Sequence, residues 1–248
     1  MSGGPELLTI IVPAYNEART LRSVLDRLSA IDLPLPREIL VVDDGSTDGT
    51  RELLDAAVRE RLPITVLRAD RNAGKGSAIR CGLRHARGSI VAIQDADLEL
   101  DPRQLAGLVE PILRGVADVV YGSRFLRGRS GAPFLTFAAN RLLTGVTNLL
   151  FGASLTDMET GHKVMRTEVA RSLELGAERF EIEPEITARL LRGGHRIHEI
   201  PIQFDPRSRA QGKTIGWRDG MQALQVLVTE RLRGRGARPQ QVGPGDLT

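Results

Sequence analysis

The stretch Glu38-Ile39-Leu40-Val41-Val42-Asp43-Asp44-Gly45-Ser46-Thr47-Asp48-Gly49-Thr50 carries the reading of the fold. Its first half is an apolar, β-branched run of strand length. Its second half is a cluster of turn and N-cap residues leading into a helical segment at 51–61. A strand apolar on both faces belongs inside a sheet that is covered on both sides. The same unit recurs on either side of it. Residues 7–13 form another continuous apolar run, followed within 17–30 by Leu21, Val24, Leu25 and Leu28 at helical spacing. Downstream, strands are predicted at 64–67, 89–94 and 118–121. Helices are predicted at 75–86, opened by a Gly-rich turn, and at 102–114. Strands alternating with helices specify an α/β fold with a mostly parallel central sheet and helices on both faces.

In such sheets ligands sit outside the carboxyl ends of the strands. Asp43 and Asp44 end the second strand, and Asp95 and Asp97 end the fourth. Tyr15, Asn16 and Glu17 follow the first, and Ser123 and Arg124 follow the fifth. Each cluster alone could be ordinary turn chemistry. Four together at one sheet edge outline a binding site.

Past residue 130 the pattern loosens. Within 134–151, Leu135, Ala138, Leu142, Val146 and Leu149 share one helical stripe, with Asn140, Thr144 and Asn148 opposite. That stripe either faces the core or lies on a membrane surface. A helix is predicted at 180–192, a strand at 196–204 and a polar loop at 206–216. A last helix at 217–232 carries Trp217, Met221, Leu224 and Val228 on one face. Residues 1–232 read as one domain, and 233–248, rich in Gly, Pro and Gln, as a disordered tail.

Composition narrows the partners. The chain has 248 residues, a formal net charge of +3 and a pI of about 9.5. Lysine occurs only at Lys75, Lys163 and Lys213, so arginine supplies the remaining 31 of 34 basic residues. The single cysteine, Cys81, excludes an intrachain disulfide framework or a cysteine-built zinc site. Aromatics are 4%, too few for a base-stacking platform, and the segment 231–238 is a meagre basic patch, so no nucleic-acid partner is expected. No signal-peptide n-region precedes residues 7–12. The apolar stretch 132–155 is interrupted by Asn140, Arg141, Thr144, Thr147 and Asn148. A cytoplasmic location is expected.

Two motifs carry chemistry. Asp95-Ala96-Asp97, with Glu99 beyond it, offers hard oxygen ligands suited to Mg²⁺ or Mn²⁺. Leu100 at the sixth position, where an EF-hand needs glycine, excludes that loop. Asn72-Ala73-Gly74-Lys75-Gly76-Ser77 is a Gly-rich turn at a helix start that can approach phosphate closely. It matches neither a P-loop nor a dinucleotide fingerprint.

Taken in order, Val12-Pro13-Ala14-Tyr15-Asn16-Glu17, Val41–Thr50, Asn72–Gly76 and Gln94-Asp95-Ala96-Asp97-Leu98-Glu99 resemble a family 2 glycosyltransferase of the GT-A fold, the Rossmann-like nucleotide-diphospho-sugar transferase architecture. The likeness continues through Tyr121–Phe125, Thr156–Gly161, Phe180–Glu185 and Gly212–Trp217. It points to the branch of dolichyl- and polyprenyl-phosphate sugar synthases. Bacterial members of that branch often read Cys-Tyr-Lys where this chain has Gly161-His162-Lys163. The continuation Asp97-Leu98-Glu99-Leu100-Asp101 is closer to the glucose-type branch, favouring UDP over GDP.

The resemblance implies roles. Pro13, Tyr15, Glu17 and Asp44 would hold the base and ribose, with Gly74 and Lys75 alongside. Asp95 would touch donor ribose or sugar, and Asp97 with Glu99 (and Asp95 beside them) would carry the metal. Arg124 and Arg141 would grip an acceptor phosphate. Arg207 and Lys213 would close over the diphosphate. The implied reaction moves a hexose from UDP or GDP, with inversion, to a polyprenyl phosphate, the chain touching the cytoplasmic membrane face peripherally. A phosphate acceptor is already ionised and needs cationic clamps rather than a base. A soluble alcohol acceptor needs a base, for which Asp157 and Glu159 stand available. A catalytically inactive sugar-nucleotide-binding regulator is the remaining alternative, and intact Asp95, Asp97, Arg124, Arg207 and Lys213 argue against it.

Overall fold

The computed structural model describes residues 6–128, 131–206 and 217–233, the last segment without the side chains of 217 and 218. Arg207, Lys213 and the tail expected beyond residue 233 lie outside the described residues. The elements run β1 (Leu8–Ala14), α1 (Leu21–Ala30), β2 (Arg37–Asp43), α2 (Thr50–Arg59), β3 (Ile64–Arg68), α3 (Lys75–His85), β4 (Ile90–Ile93), α4 (Leu105–Leu113), β5 (Val119–Ser123), α5 (Phe134–Phe151), β6 (Lys163–Arg166), α6 (Thr167–Ser172), α7 (Ile182–Arg192), β7 (Ile197–Pro201) and α8 (Trp217–Leu232).

The seven strands form one sheet in the order β3-β2-β1-β4-β6-β5-β7. All pairings are parallel except those of β6, which is antiparallel to both β4 and β5. The sheet therefore keeps one direction in every strand but one, and the ends of β1, β2, β4 and β5 share an edge. Alternation along each strand divides the core. Leu8, Ile10 and Val12 pack with Leu21, Val24, Leu25, Leu54, Leu105 and Leu108 on one face. Ile11, Val91, Ile93, Tyr121 and Met165 pack with Ile79, Val169, Ile182 and Ile186 on the other. This is why β1 is apolar except for Thr9, whose hydroxyl is bonded to Glu38: neither face meets water.

Two expectations change. The strand β6 and the short helix α6 were absent from the sequence reading. The stripe expected on α5, left open between core and membrane surface, is split: Leu135, Leu142 and Leu149 are exposed, Val146 packs against the Met158, Ala188 and Leu227 cluster, and Asn140, Thr144 and Thr147 are buried. Likewise α8 exposes Met221 and Val228 and buries Ala223, Leu227 and Glu230.

Candidate active site

Three loops at the common strand edge are tied into one unit. The turn after β1 is held by the turn after β2. Asn16 N–H donates to Ser46 Oγ (3.0 Å), Glu17 N–H to Thr50 Oγ1 (3.0 Å), and Thr47 N–H to Asn16 Oδ1 (2.8 Å). Asn16 sits at φ 56°, a left-handed conformation that asparagine tolerates. Tyr15 is left exposed beside this seam, Pro13 is half-buried, and the Glu17 carboxylate accepts from Thr20 Oγ1 at 2.7 Å.

Asp44, expected against the nucleotide, is buried. Its two carboxylate oxygens accept from the Ala73 (2.9 Å) and Gly74 (2.7 Å) amides. Its carboxyl lies above the usual range because burial outweighs those two bonds, with the Asp43 charge adding to the rise. Asp44 thus fixes the Gly-rich turn at the start of α3. That turn also presses on the segment before α7: a Cβ on Gly74 would meet Glu178 O at 2.4 Å, and one on Gly76 would meet Ala177 O at 2.4 Å. Glycine is needed there for close backbone approach.

Lys75 emerges from this turn into a buried ladder of alternating charge. Its Nζ lies 2.6 Å from Asp95 Oδ1 and 2.8 Å from Glu183 Oε1. Glu183 Oε2 in turn pairs with Lys163 Nζ, which also donates to Met158 O (3.2 Å) and Thr160 O and stands over the Tyr121 ring at 4.7 Å. Burial opposes the Lys75 charge, but Asp95 and Glu183 outweigh it and hold the ammonium ionised. Burial likewise raises Asp95, and Lys75 outweighs it, so the carboxyl lies below its ordinary value. Glu183 escaped the sequence reading. Its signal was present in the Phe180–Glu185 motif and in two lysines that each fell within a motif, but only the fold shows that α7 carries it to both.

The acidic loop itself turns sharply. Leu98 has φ 63°, and Glu99 N–H donates to Asp97 Oδ1 at 3.0 Å. Gln94 Nε2 donates to Asp95 O (2.9 Å) and Leu100 O (3.1 Å), clasping both ends of the loop. Gly161 lies directly under Asp95, whose Oδ2 would be 2.1 Å from an added Cβ. Asp95, Asp97 and Glu99 offer oxygen ligands only, the donor set of a hard divalent cation. Among the described residues no three His, Cys, Asp or Glu side chains are grouped to hold an ion by themselves. Such an all-oxygen donor set fits a hard divalent cation, with ligands beyond the protein needed to complete its shell.

Arg124 defines the second half of the site. Its Nε and Nη2 each lie 2.7 Å from an oxygen of Asp157, a fork-to-fork pair. The guanidinium carbon is 5.1 Å from the Phe125 ring and 5.2 Å from the Phe204 ring. Burial disfavours the Arg124 charge, and Asp157 more than restores it. Asp157 also accepts from Arg124 N–H (3.0 Å) and Asn140 Nδ2 (3.1 Å). The loop around it is pinned by Glu199, which accepts from the Thr156 and Asp157 amides, and by Asn148, which bonds Leu155 twice. Arg141 stays exposed, its Nη1 3.4 Å from Thr156 O. So the inward polar face of α5 organises the loop that holds Arg124. Glu159 stands nearby with its carboxyl raised to about 7, by burial first and the Glu183 charge next. Its Oε1 meets no hydrogen-bond partner among the described residues.

Comparison with known proteins identifies the family and the fold. The family model described as glycosyl transferase family 2 matches residues 9–173. A dolichol-phosphate mannosyltransferase of Pyrococcus furiosus is 30% identical over 214 residues, covering 84% of this chain and 59% of that protein. The chain thus spans less than two thirds of that relative's length. An undecaprenyl-phosphate mannosyltransferase of Micrococcus luteus is 32% identical over 216 residues, covering 83% of this chain and 86% of that protein. Among solved structures, the glucosyl-3-phosphoglycerate synthase of Mycobacterium tuberculosis, in complex with Mn²⁺, UDP and phosphoglyceric acid, superposes with a TM-score of 0.72. It is 21% identical, covering 96% of this chain and 81% of that chain. The fold is GT-A.

Proposed function

From the finding that the chain belongs to glycosyl transferase family 2, we propose that it moves a hexose from UDP or GDP to a polyprenyl phosphate at a membrane surface. The observation that carries the acceptor class is Asp157. A base for an alcohol needs an accessible carboxylate, and Asp157 is buried with both oxygens engaged by Arg124 and one also by Asn140. The site invests its acceptor-side carboxylate in holding a cation, which suits an acceptor that arrives ionised. The names of both relatives, each a mannosyltransferase acting on a prenyl phosphate, support this reading and favour mannose.

On this reading Pro13, Tyr15 and Glu17 border the base and ribose, Asp44 shapes the turn at Gly74, and Lys75 holds Asp95 toward the donor. Asp97 with Glu99 would hold a Mg²⁺ or Mn²⁺ ion, which supplies Lewis-acid stabilisation of the departing diphosphate. Arg207 and Lys213 add positive charge where negative charge develops. Arg124, helped by Arg141, orients the acceptor phosphate for in-line attack on the anomeric carbon. The phosphate oxygen bonds to that carbon as the bond to the nucleoside diphosphate breaks, inverting its configuration.

A second reading, transfer to a soluble alcohol, rests on Glu159, whose carboxyl near 7 and lack of a hydrogen-bond partner on Oε1 among the described residues suit a general base, although that oxygen, like Asp157, is buried and an acceptor would have to reach it. A thermal-shift panel of UDP- and GDP-sugars with Mn²⁺ tests the donor class, because bound ligand raises apparent stability. A shift with one nucleotide series is expected. No shift with any of them overturns the proposal.

A further inference from the structure

Four charges stand in one row between the acidic loop and the loop that carries Asp157. Lys75, at the start of α3, reaches Asp95 Oδ1 at 2.6 Å and Glu183 Oε1 at 2.8 Å. The other oxygen of Glu183 takes Lys163 Nζ, and Lys163 donates onward to the carbonyls of Met158 and Thr160. The row deepens along its length: the Asp95 side chain is 23% exposed, Glu183 5% and Lys163 not at all. One end is therefore the carboxylate seated on Gly161. The other end is the backbone next to Asp157, which grips Arg124 with both oxygens. Glu183 is the member that touches both lysines.

Stability does not explain such a row. Buried ions lose their hydration, and apolar side chains of similar volume are often as stable as the ion pair they replace. Apolar packing is close by, since Tyr121, Ile182 and Ile186 belong to the cluster on that face of the sheet. The fold instead braces Glu183. It lies in the first turn of α7, where the helix dipole favours an anion. One turn on, Thr187 Oγ1 donates to Glu183 O (3.0 Å) and lies 3.0 Å from the Tyr121 hydroxyl. The Tyr121 ring in turn lies 4.7 Å from Lys163 Nζ. The centre of the row is fixed, and its two ends reach two separate loops.

We propose that Glu183 is a positioning residue for the transfer: its two oxygens join Lys75, at the donor carboxylate, to Lys163, at the acceptor loop, so that engagement of Asp95 firms the seat of Arg124. The inference rests on the donor and acceptor roles proposed above and adds an order to them, donor before acceptor. A donor that engages Asp95 draws that carboxylate from Lys75, which then turns more fully to Glu183. Glu183 holds Lys163 less tightly in consequence. The Lys163 ammonium is left to the Met158 and Thr160 carbonyls, and the loop that carries Asp157 tightens. Coupling of this kind travels through a contiguous chain of paired groups.

Carbon-13 NMR of the methionine methyl groups in the full chain tests it. Met158 is buried in the acceptor loop, and exposed Met221 is the control. UDP and GDP are each added with Mg²⁺; neither carries a sugar, so no transfer occurs. The nucleotide that binds is expected to shift the Met158 signal in the native chain and not in Glu183→Gln, at saturation in both. Calorimetry then compares the affinity for farnesyl phosphate, a short prenyl phosphate, with and without nucleotide. That ratio should be at least about fivefold larger in the native chain than in Glu183→Gln. Direct repulsion between the phosphates is common to both and cancels. Glu183→Gln leaves two buried ammoniums without their shared carboxylate, so Glu183→Gln with Lys163→Met, which removes one charge of each sign, is the second variant and should lose the same response. A Glu183 that only supports the fold would lower stability and leave the Met158 shift and the ratio in place, and that result overturns the proposal. So does a native Met158 signal that ignores a bound nucleotide. A Met158 response without any binding of farnesyl phosphate leaves the role of Glu183 standing and overturns the acceptor reading. A chain that binds neither nucleotide overturns the donor reading and this inference together.

Discussion

His162 Nε2 lies 2.8 Å from Gln94 Oε1 inside the core, and this pair sets the acidic loop. Gln94 spends its amide NH₂ on Asp95 O and Leu100 O, so its carbonyl oxygen can only accept. His162 must therefore donate from Nε2, leaving Nδ1 bare, and Nδ1 has no partner among the described residues. Burial, opposed by the Asp95 charge, lowers the imidazole to about 4, which keeps it neutral at physiological pH.

Replacing Gln94 with Glu keeps the acceptor for His162 and removes both donated bonds. Each buried carbonyl left without a donor costs about 1–3 kcal/mol. Gln94→Glu is expected to weaken nucleotide binding at least about tenfold at that cost, measured by titration calorimetry. His162→Phe should do so less severely. Nitrogen NMR of the native protein should find Nδ1 unprotonated; an Nδ1–H tautomer contradicts the clasp.

Gly161→Ala tests the seat of Asp95. The new methyl would stand 2.1 Å from Asp95 Oδ2, so the carboxylate must leave Lys75. Nucleotide affinity should fall more than overall stability does. Gly107→Ala, at a helical position with nothing within 4 Å, is the control and should stabilise by up to about 1 kcal/mol. Equal effects of the two on binding would dissolve the argument.

Arg124→Lys keeps the charge but loses the fork to Asp157. The acceptor KM should rise about tenfold or more while the donor KM stays unchanged, as expected when a bidentate clamp becomes a point charge. Asp157→Asn leaves Arg124 buried without its counter-charge and should cost about 3–5 kcal/mol of stability. Denaturant titration measures it; a cost near zero means the pair is not what holds the loop.

Glu159 predicts a pH dependence. Its folded carboxyl titrates near 7 against an ordinary 4.5. Below the lower value it is protonated folded or unfolded and contributes nothing. Between the two, the folded chain holds a proton that the unfolded chain releases, so raising the pH removes stability, up to about 3 kcal/mol by pH 7. Glu159→Gln should flatten that part of the profile. It should also leave transfer to a phosphate acceptor near wild type while abolishing transfer to an alcohol. An unchanged pH profile contradicts the raised carboxyl.

The parts of the fold that sequence made legible are those where one residue type has one meaning. The β1, β2 and β4 runs are apolar on both faces, so they had to lie inside a covered sheet, and their polar ends had to share an edge. The inverted α5 was not legible that way. Periodicity shows that Leu135, Leu142 and Leu149 share a face, not whether that face looks in or out. The answer depends on Asn140, Thr144 and Asn148 finding partners in a loop that the sequence places later. β6 was missed because Lys163 and Arg166 bracket only two apolar residues. Lys163 is buried only because Glu183, on a distant helix, neutralises it. Asp44 was visible as a site residue, but its bonds to Ala73 and Gly74 depend on two loops meeting, which no local pattern encodes.

The most direct measurement of the central claim uses labelled UDP-glucose and GDP-mannose with the full chain, Mn²⁺ and a polyprenyl phosphate, followed by organic extraction. The account predicts label in the organic phase with one of the two donors, lost in Asp97→Ala and strongly reduced in Arg124→Lys. Label confined to water-soluble products, or transfer undiminished in Asp97→Ala, would contradict it.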